Sequence, residues 1–345
     1  MCIRDRHLDG PTSINNFHDA GGGHVNSPEV FWLSNVFGNR GVTAAKLFNM
    51  KTYNQGGGAL DLLWYDTSIT TPEIQLEKDA YFRNAEIVTM REKWGDLNSL
   101  WLSYHAGKAN ISHSQLDCGT FVLDSQGVRW AEDLGKDEYT LPDYFWSKRW
   151  TYYRLRTEGH NTLLINPNDD GGQDLGADTV ITAYSPEAEE PWSIADLSTA
   201  YPGGANSVLR GFKLTDNRKG LLIRDEVDLK KADSEIYWFM HFRSDNISTA
   251  INGNVVTMTH KNGKKMRLEF KTDAAQAEIS VVPATTMLSL DKYPYLKDQD
   301  KNANYKKVQI KMKGSGKVNV TVKIRPTGTQ DEFGQLDATP LKDWK

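Results

Sequence analysis

Cysteine is scarce in this sequence, and so are the signals of membrane and nucleic-acid-binding proteins. Among its 345 residues only Cys2 and Cys118 are cysteines, too few for a disulfide framework. No apolar run approaches the ~20 residues of a membrane span, and the amino terminus carries no hydrophobic core of a signal peptide. Lysine and arginine total 41 against 45 aspartates and glutamates, so the net charge of −4 offers nucleic acid no basic surface.

Two common catalytic signatures are also missing. The glycine run at 21–23 is not followed by the Gly-Lys-Ser/Thr of a phosphate-binding loop, and no Gly-x-Ser-x-Gly sequence suggests a serine hydrolase. His18, Asp19 and His24 flank the glycine run, and we predict a loop with ordinary hydrogen bonds there, because a flexible segment holds metal ligands poorly. Cys118 is predicted to be a buried, inert thiol.

Hydrophobic residues alternate with polar ones through most of the chain. This period of two is typical of half-buried strands, and it occurs at 85–91, 99–104, 119–123, 161–165, 208–214, 220–227, 236–242, 308–312 and 317–324. Asn252-Gly253 and Asn262-Gly263 are hairpin signals. The chain is therefore predicted to be mainly β, with one large antiparallel β-sandwich over residues 71–345.

The first 70 residues follow a different pattern. Pro28 after Ser27 is a good helix start, and helical spacing continues to about Met50. We predict that 1–70 is the end of a helical domain. Residues 1–6 resemble a translated sequencing adaptor, so they are interpreted as artefactual, and the chain is expected to begin inside a longer one.

Ligand-capable side chains cluster in the middle of the sequence. His113, Gln115 and Asp117 alternate in what we predict to be an extended segment, which places them on one face. Asp133 follows the next apolar stretch, and His160 opens another. Imidazole, amide and carboxylate together suit a divalent metal beside a catalytic histidine. Hydrogen-bonded boundary residues, with Asp133 capping a Leu-Gly turn, are the alternative from the residues alone.

The motifs in this region resemble those of the heparinase II/III-like polysaccharide lyases. H-S-Q-L-D-C-G-T-F, W-A-E-D-L-G and E-G-H-N-T-L stand where that family reads N-H-G-H-x-D-x-G-S-F, W-x-x-D-x-G and H-N-T. The resemblance implies that His113 is catalytic and that Asp133 and His160 bind a metal. The third ligand, usually histidine, falls on Gln115. The metal is then expected to be zinc, and the harder amide oxygen of Gln115 makes manganese or calcium the alternatives.

The resemblance also implies a reaction and an architecture. Such lyases cleave uronic-acid-containing polysaccharides, such as glycosaminoglycans or alginate, by β-elimination, and an α/α toroid precedes their sandwich. His113 would transfer the proton, Tyr139 would be its partner within the sandwich, and Arg154 would contact the substrate carboxylate. The family's usual tyrosine lies on the toroid, so this chain alone is expected to lack part of the site. A periplasmic or secreted location is expected.

Two other functions remain open at this stage. A noncatalytic carbohydrate-binding sandwich would need no convergence of His113, Asp133 and His160. A uronyl C5-epimerase would use the same proton abstraction without elimination. Four tryptophans are expected to lie in the core rather than to form a sugar platform: Trp130, Trp146, Trp150 and Trp238.

Overall fold

Three helices precede the strands in the computed structural model, which describes residues 9–24, 26–69, 73–327 and 336–344. They are α1 (Glu29–Phe37), α2 (Arg40–Thr52) and α3 (Ala59–Trp64). Helix α1 ends at Gly38, whose φ of 63° is a left-handed conformation that glycine adopts without strain. None of the described helices has the length and apolar character needed to cross a membrane.

Eighteen strands in the described residues form three sheets. The first sheet has the order β1-β2-β3-β5-β6, formed by β1 (Ala80–Phe82), β2 (Ile87–Arg91), β3 (Trp101–His105), β5 (Phe121–Ser125) and β6 (Val128–Ala131). The second sheet has the order β13-β14-β15-β18-β11-β10-β9-β8-β4. Its strands are β4 (Gly107–Lys108), β8 (Asp178–Ser185), β9 (Trp192–Asp196), β10 (Ala205–Thr215), β11 (Gly220–Leu229), β13 (Ile247–Asn252), β14 (Val255–His260), β15 (Lys265–Thr272) and β18 (Lys317–Pro326). The third has the order β16-β17-β12-β7, formed by β7 (Leu163–Ile165), β12 (Ser234–Arg243), β16 (Gln276–Pro283) and β17 (Tyr305–Gly314).

One hydrophobic core joins the three sheets. Phe121 of the first sheet lies 5.8 Å from Phe212 of the second and 6.2 Å from Trp238 of the third, measured between ring centroids. Aromatic rings at these separations contribute packing beyond their buried area. All strand pairings among the described residues are antiparallel. The predicted antiparallel sandwich is confirmed, with its strands divided over three sheets.

The segment 9–24 packs on the first sheet rather than on the helices alone. Phe17 shares a buried cluster with Trp101 and Val122. Asn16 Nδ2 donates to the carbonyl of Asp133 at 2.7 Å, and Asn15 Nδ2 donates to Ser103 Oγ at 3.1 Å. These contacts bring the residues after Phe17 over the strand ends, and the domain boundary near residue 70 stays a prediction.

A buried lysine in β17 gives the fold a pH dependence. Lys307 Nζ donates to the carbonyl of Glu158 at 2.8 Å, and burial lowers the pKa of Lys307 from 10.5 to about 8. Its amine is charged in both states below pH 8, where burying the charge destabilises the fold. Between pH 8 and 10.5 the unfolded chain binds more protons than the folded one, so stability rises with pH.

We expect Lys307→Met to raise the free energy of unfolding near pH 7 by about 2 kcal/mol. Removing the buried charge should stabilise the fold by about 3 kcal/mol, and losing the hydrogen bond to Glu158 should cost about 1 kcal/mol of that gain. Urea unfolding at pH 7, 9 and 10.5 should show the advantage shrinking as pH rises. The neighbouring exposed Lys306→Met is the control. An advantage that is equal at pH 7 and pH 10.5 would contradict the expectation.

Candidate active site and metal centre

His113 lies in a loop between β4 and β5, not in the extended segment that its alternation predicted. Its φ of 62° is left-handed, and the Ser114 amide turns back to donate to the Ile111 carbonyl at 3.1 Å. This turn interrupts any strand ladder. The His113 side chain is 56% exposed, so its ring is open to a ligand from solvent.

One carboxylate organises the residues around His113. Asp19 Oδ2 lies 3.1 Å from His113 Nδ1 and 3.2 Å from the Tyr139 hydroxyl, and that hydroxyl is 3.3 Å from the same ring nitrogen. The structure therefore brings together the predicted pair His113 and Tyr139. A proton on Nδ1 that is donated to Asp19 leaves Nε2 of His113 with its lone pair.

Further contacts hold Asp19 itself in place. Gln115 Nε2 donates to Oδ1 at 3.0 Å, and Arg149 Nη2 donates to both carboxylate oxygens at 3.2 and 3.3 Å. The amide of Asp19 donates to the His113 carbonyl at 3.2 Å. The sequence analysis missed Arg149, and it gave Asp19 only an ordinary loop role. Partial burial and the Asp19 carboxylate raise the pKa of Tyr139 above its ordinary value.

Two of the three predicted metal-binding residues, Asp133 and His160, converge, and Asp117 lies with them. One ligand atom each from Asp117, Asp133 and His160 fall within 4.8 Å of one another, and His160 Nδ1 is 3.3 Å from Asp133 Oδ2. The Gln115 amide nitrogen donates to Asp19, and its oxygen has no hydrogen-bond partner among the described residues. The place of Gln115 among the metal ligands stays a prediction. Asp117 had been noted only as one of three alternating polar residues.

Several buried atoms of Gln115, Asp117 and His160 have no hydrogen-bond partner among the described residues. They are Gln115 Oε1, both carboxylate oxygens of Asp117, and His160 Nε2. Buried polar atoms without partners are rare in native proteins. Oxygens and an imidazole nitrogen in one buried place are the donor set of a divalent cation, so the residues fit the metal that the sequence predicted.

Asp117 also faces two histidines. Its Oδ2 lies 3.1 Å from His105 Nε2 and 3.2 Å from His18 Nδ1. Burial raises the pKa of Asp117, but His105 and His18 outweigh that effect and hold the pKa well below its ordinary value. The sequence analysis assigned His18 to an ordinary loop and did not consider His105.

Arg154 is occupied by partners within the chain. Its guanidinium donates to Asp300 Oδ2 at 2.6 Å, to Asn302 Oδ1 at 2.9 Å, and to the carbonyls of Leu134 and Lys136 at 3.2 and 2.9 Å. It thereby secures the segment that follows Asp133. Its role as a substrate contact stays a prediction.

Exposed aromatic rings surround His113. Phe145 and Tyr139 lie 6.1 and 6.2 Å from its ring, and both are exposed. Trp146 is 78% exposed, so its expected place in the core is wrong; it follows Phe145 in a turn-rich stretch outside the sheets. Trp130 and Trp238 are fully buried, as expected.

Known proteins resemble this chain over most of its length. Residues 74–324 match the family model described as heparinase II/III-like, C-terminal. Solved structures titled heparinase III-BT4657 gene product (TM-score 0.66, 16% identity, 93% of this chain and 45% of that chain) and heparan sulfate lyase HepC from Pedobacter heparinus (0.66, 15%, 94% and 46%) share the fold. Another titled heparinase III has a TM-score of 0.68 at 16% identity, covering 96% of this chain and 48% of that one.

These solved structures match the chain in fold, and each is longer than the chain. The chain spans a little under half the length of each of these structures, and at such identities the likeness establishes the fold alone. Among curated protein sequences the chain has no match.

Proposed function

The chain belongs to the heparinase II/III-like family, and from that premise we propose that it acts in the cleavage of a uronic-acid-containing polysaccharide by β-elimination. The observation that carries the proposal is the triad of His113, Asp19 and Tyr139, in which the His113 and Tyr139 rings are exposed beside the exposed ring of Phe145. Sugar rings pack on such aromatic faces. We take the substrate to be an acidic polysaccharide of the glycosaminoglycan or alginate class, met in the periplasm or outside the cell.

The elimination requires three tasks at one uronate ring. The C6 carboxylate must be neutralised, the C5 proton removed, and the O4 leaving group protonated, and the charge that develops in the transition state needs stabilisation. His113 is the base in this proposal, because Asp19 can orient its ring through Nδ1 and leave Nε2 free to accept the proton.

Tyr139 is suited to the complementary role of acid. Its raised pKa keeps the phenol protonated, and its hydroxyl lies next to the His113 ring. Neutralisation of the C6 carboxylate is assigned to Arg154 as the sequence predicts, which requires it to exchange the exposed Asp300 for the substrate. The Asp300 carboxylate is 45% exposed in this pair, so solvent screens its attraction to Arg154.

A divalent cation would be held by Gln115, Asp133 and His160, together with Asp117. Zinc is our first choice, and manganese or calcium would suit the three oxygen donors. When bound, the cation would supply positive charge and rigidity beside the loop that carries His113. In this proposal Gln115 links the cation to the residues around His113, because its oxygen would bind the cation while its nitrogen donates to Asp19.

We expect the double substitution Asp133→Ala with His160→Ala to remove one bound cation. The protein is stripped with chelator, dialysed against Zn²⁺, Mn²⁺ or Ca²⁺, and analysed for metal content. The wild type should then hold one equivalent more than the double variant, and the cation should raise its unfolding temperature by mass action. The exposed Asp245→Ala is the control. Equal metal content in both proteins would count against this site.

The reaction is tested with a panel of polymers. Metal-loaded protein is incubated with heparan-like, chondroitin-like, alginate and sulfated algal polymers in D₂O, and the absorbance of unsaturated uronate is followed. A lyase produces absorbance. The epimerase alternative would exchange the C5 proton for deuterium without absorbance, and a carbohydrate-binding module would retain the polymer and do neither. Absence of absorbance on every polymer, from these 345 residues and from any longer reading frame that contains them, would refute the proposed elimination.

A further inference from the structure

We propose that a second divalent-cation site lies beside the first, formed by His18, His105 and Asp117, with the Asp117 carboxylate shared between the two. One ligand atom from each of these residues lies within 4.8 Å of the others. Carboxylates bridge neighbouring cations in many two-metal centres. The proposal concerns binding, and it does not require the elimination proposed above.

The hydrogen bonding of His105 directs one ring nitrogen towards a cation at this position. Its Nδ1 lies 2.6 Å from the Ala106 carbonyl, which can only accept, so Nδ1 carries the proton and donates. Its other ring nitrogen, Nε2, faces Asp117 Oδ2 at 3.1 Å. The positive charge that this contact needs comes either from a proton on Nε2 or from a cation bound between the two atoms, and the zinc measurement below distinguishes them. Metal-binding histidines commonly donate their other N–H to a backbone carbonyl in this way.

His18 completes the arrangement from another part of the chain. Its Nδ1 is 3.2 Å from the same Asp117 oxygen, and its ring meets that of His105 edge to face at 4.7 Å. The atoms His18 Nδ1, His105 Nε2 and Asp117 Oδ2 are buried and form no hydrogen bond among the described residues. Their close contacts therefore have ion-pair distances without hydrogen-bond geometry.

The spacing and the donor types indicate zinc. Zinc binds nitrogen and oxygen at about 2.0–2.1 Å, so adjacent ligands of a tetrahedral site are about 3.3 Å apart. The observed 3.1 and 3.2 Å separations are close to that value. The His18 side chain is 28% exposed, which leaves an entry path and room for water at the remaining position.

Binding here would have a structural consequence for the active site. His18 lies on the segment 9–24, His105 ends β3, and Asp117 lies in the loop after β4. A cation held by all three would tie that segment to the sheet. Asp19 follows His18 directly, so the same cation would steady the carboxylate that holds His113.

The test is zinc binding by the full 345-residue chain. Chelator-stripped protein is dialysed against Zn²⁺ alone, and bound zinc is counted for the wild type, His18→Asn, and Asp133→Ala with His160→Ala. Asparagine tolerates the left-handed φ of 61° at position 18. We expect His18→Asn to lower the affinity for one zinc equivalent at least about 100-fold. The double variant should still bind that equivalent.

His24→Asn is the matched control. His24 pairs with Asp9 at 2.6 Å in the same segment, and its removal should not change zinc binding. Hydrogen exchange gives a second readout, because zinc should slow amide exchange at 14–24 in the wild type and in the double variant but not in His18→Asn.

The outcomes separate the two cation sites. If the wild type binds one zinc and only His18→Asn loses it, the result would support this site. It would also contradict the site assigned to Gln115, Asp133 and His160. Zinc binding and hydrogen exchange in His18→Asn that equal those of the wild type would overturn the second site. So would a single zinc that both His18→Asn and the double variant lose, since one shared cation then explains both.

Discussion

Replacement of His113 by asparagine is expected to lower the elimination rate by about 10²–10⁴-fold, the usual cost of losing a positioned acid or base. Asparagine removes the imidazole but tolerates the left-handed φ of 62° at this position. Because the side chain is largely exposed, the free energy of unfolding should change by no more than about 0.5 kcal/mol. Activity and stability are thereby separated.

The rate is measured from the absorbance of unsaturated uronate on the polymer that the wild type cleaves. Where a longer reading frame contains these 345 residues, the same substitution is made in it, because clefts of this kind favour domain interfaces. Metal content is compared with that of the wild type, and His24→Asn is the control. Wild-type turnover by His113→Asn would refute the assigned base.

Substitution of Asp225 by leucine is expected to lower the free energy of unfolding by about 3–5 kcal/mol, because it leaves a buried charge without its partner. Arg210 is fully buried, and its Nε and Nη2 donate to Asp225 at 2.6 and 3.1 Å. Its Nη1 donates to the carbonyls of Gly119 and Asn161 at 2.9 and 3.0 Å. Those residues adjoin the loops that carry the proposed metal ligands, so the variant should also bind the proposed cation more weakly.

Urea unfolding of chelated protein measures the effect without the contribution of a cation. Asp225→Leu combined with Arg210→Met should be more stable than Asp225→Leu alone, because no unpaired charge remains buried. Asp245→Leu is the matched control: Asp245 pairs with Arg243 at an exposed position, where such pairs contribute about 0–1 kcal/mol. Equal losses from the two leucine variants would contradict the expectation.

Local sequence determined the secondary structure of the sandwich and part of its site. Alternating residues predict strands because successive side chains point to opposite faces of a sheet, and the strands at 208–214, 220–227 and 236–242 all lie inside observed β10, β11 and β12. The ligand set of Gln115, Asp133 and His160 came from motif resemblance. These positions could be proposed from the sequence because they lie in three short, recognisable stretches, and their binding of a metal stays a prediction.

Tertiary structure alone decided what surrounds those residues. Asp19 contacts His113 across 94 positions of sequence and Arg149 across 130, and no short-range pattern records such distances. His18 and His105 likewise meet only because segment 9–24 folds onto β3. Local propensity reflects neighbours along the chain. The carboxylates at positions 19 and 117 acquire their roles from neighbours in space, which only packing of the segment 9–24 against the first sheet supplies.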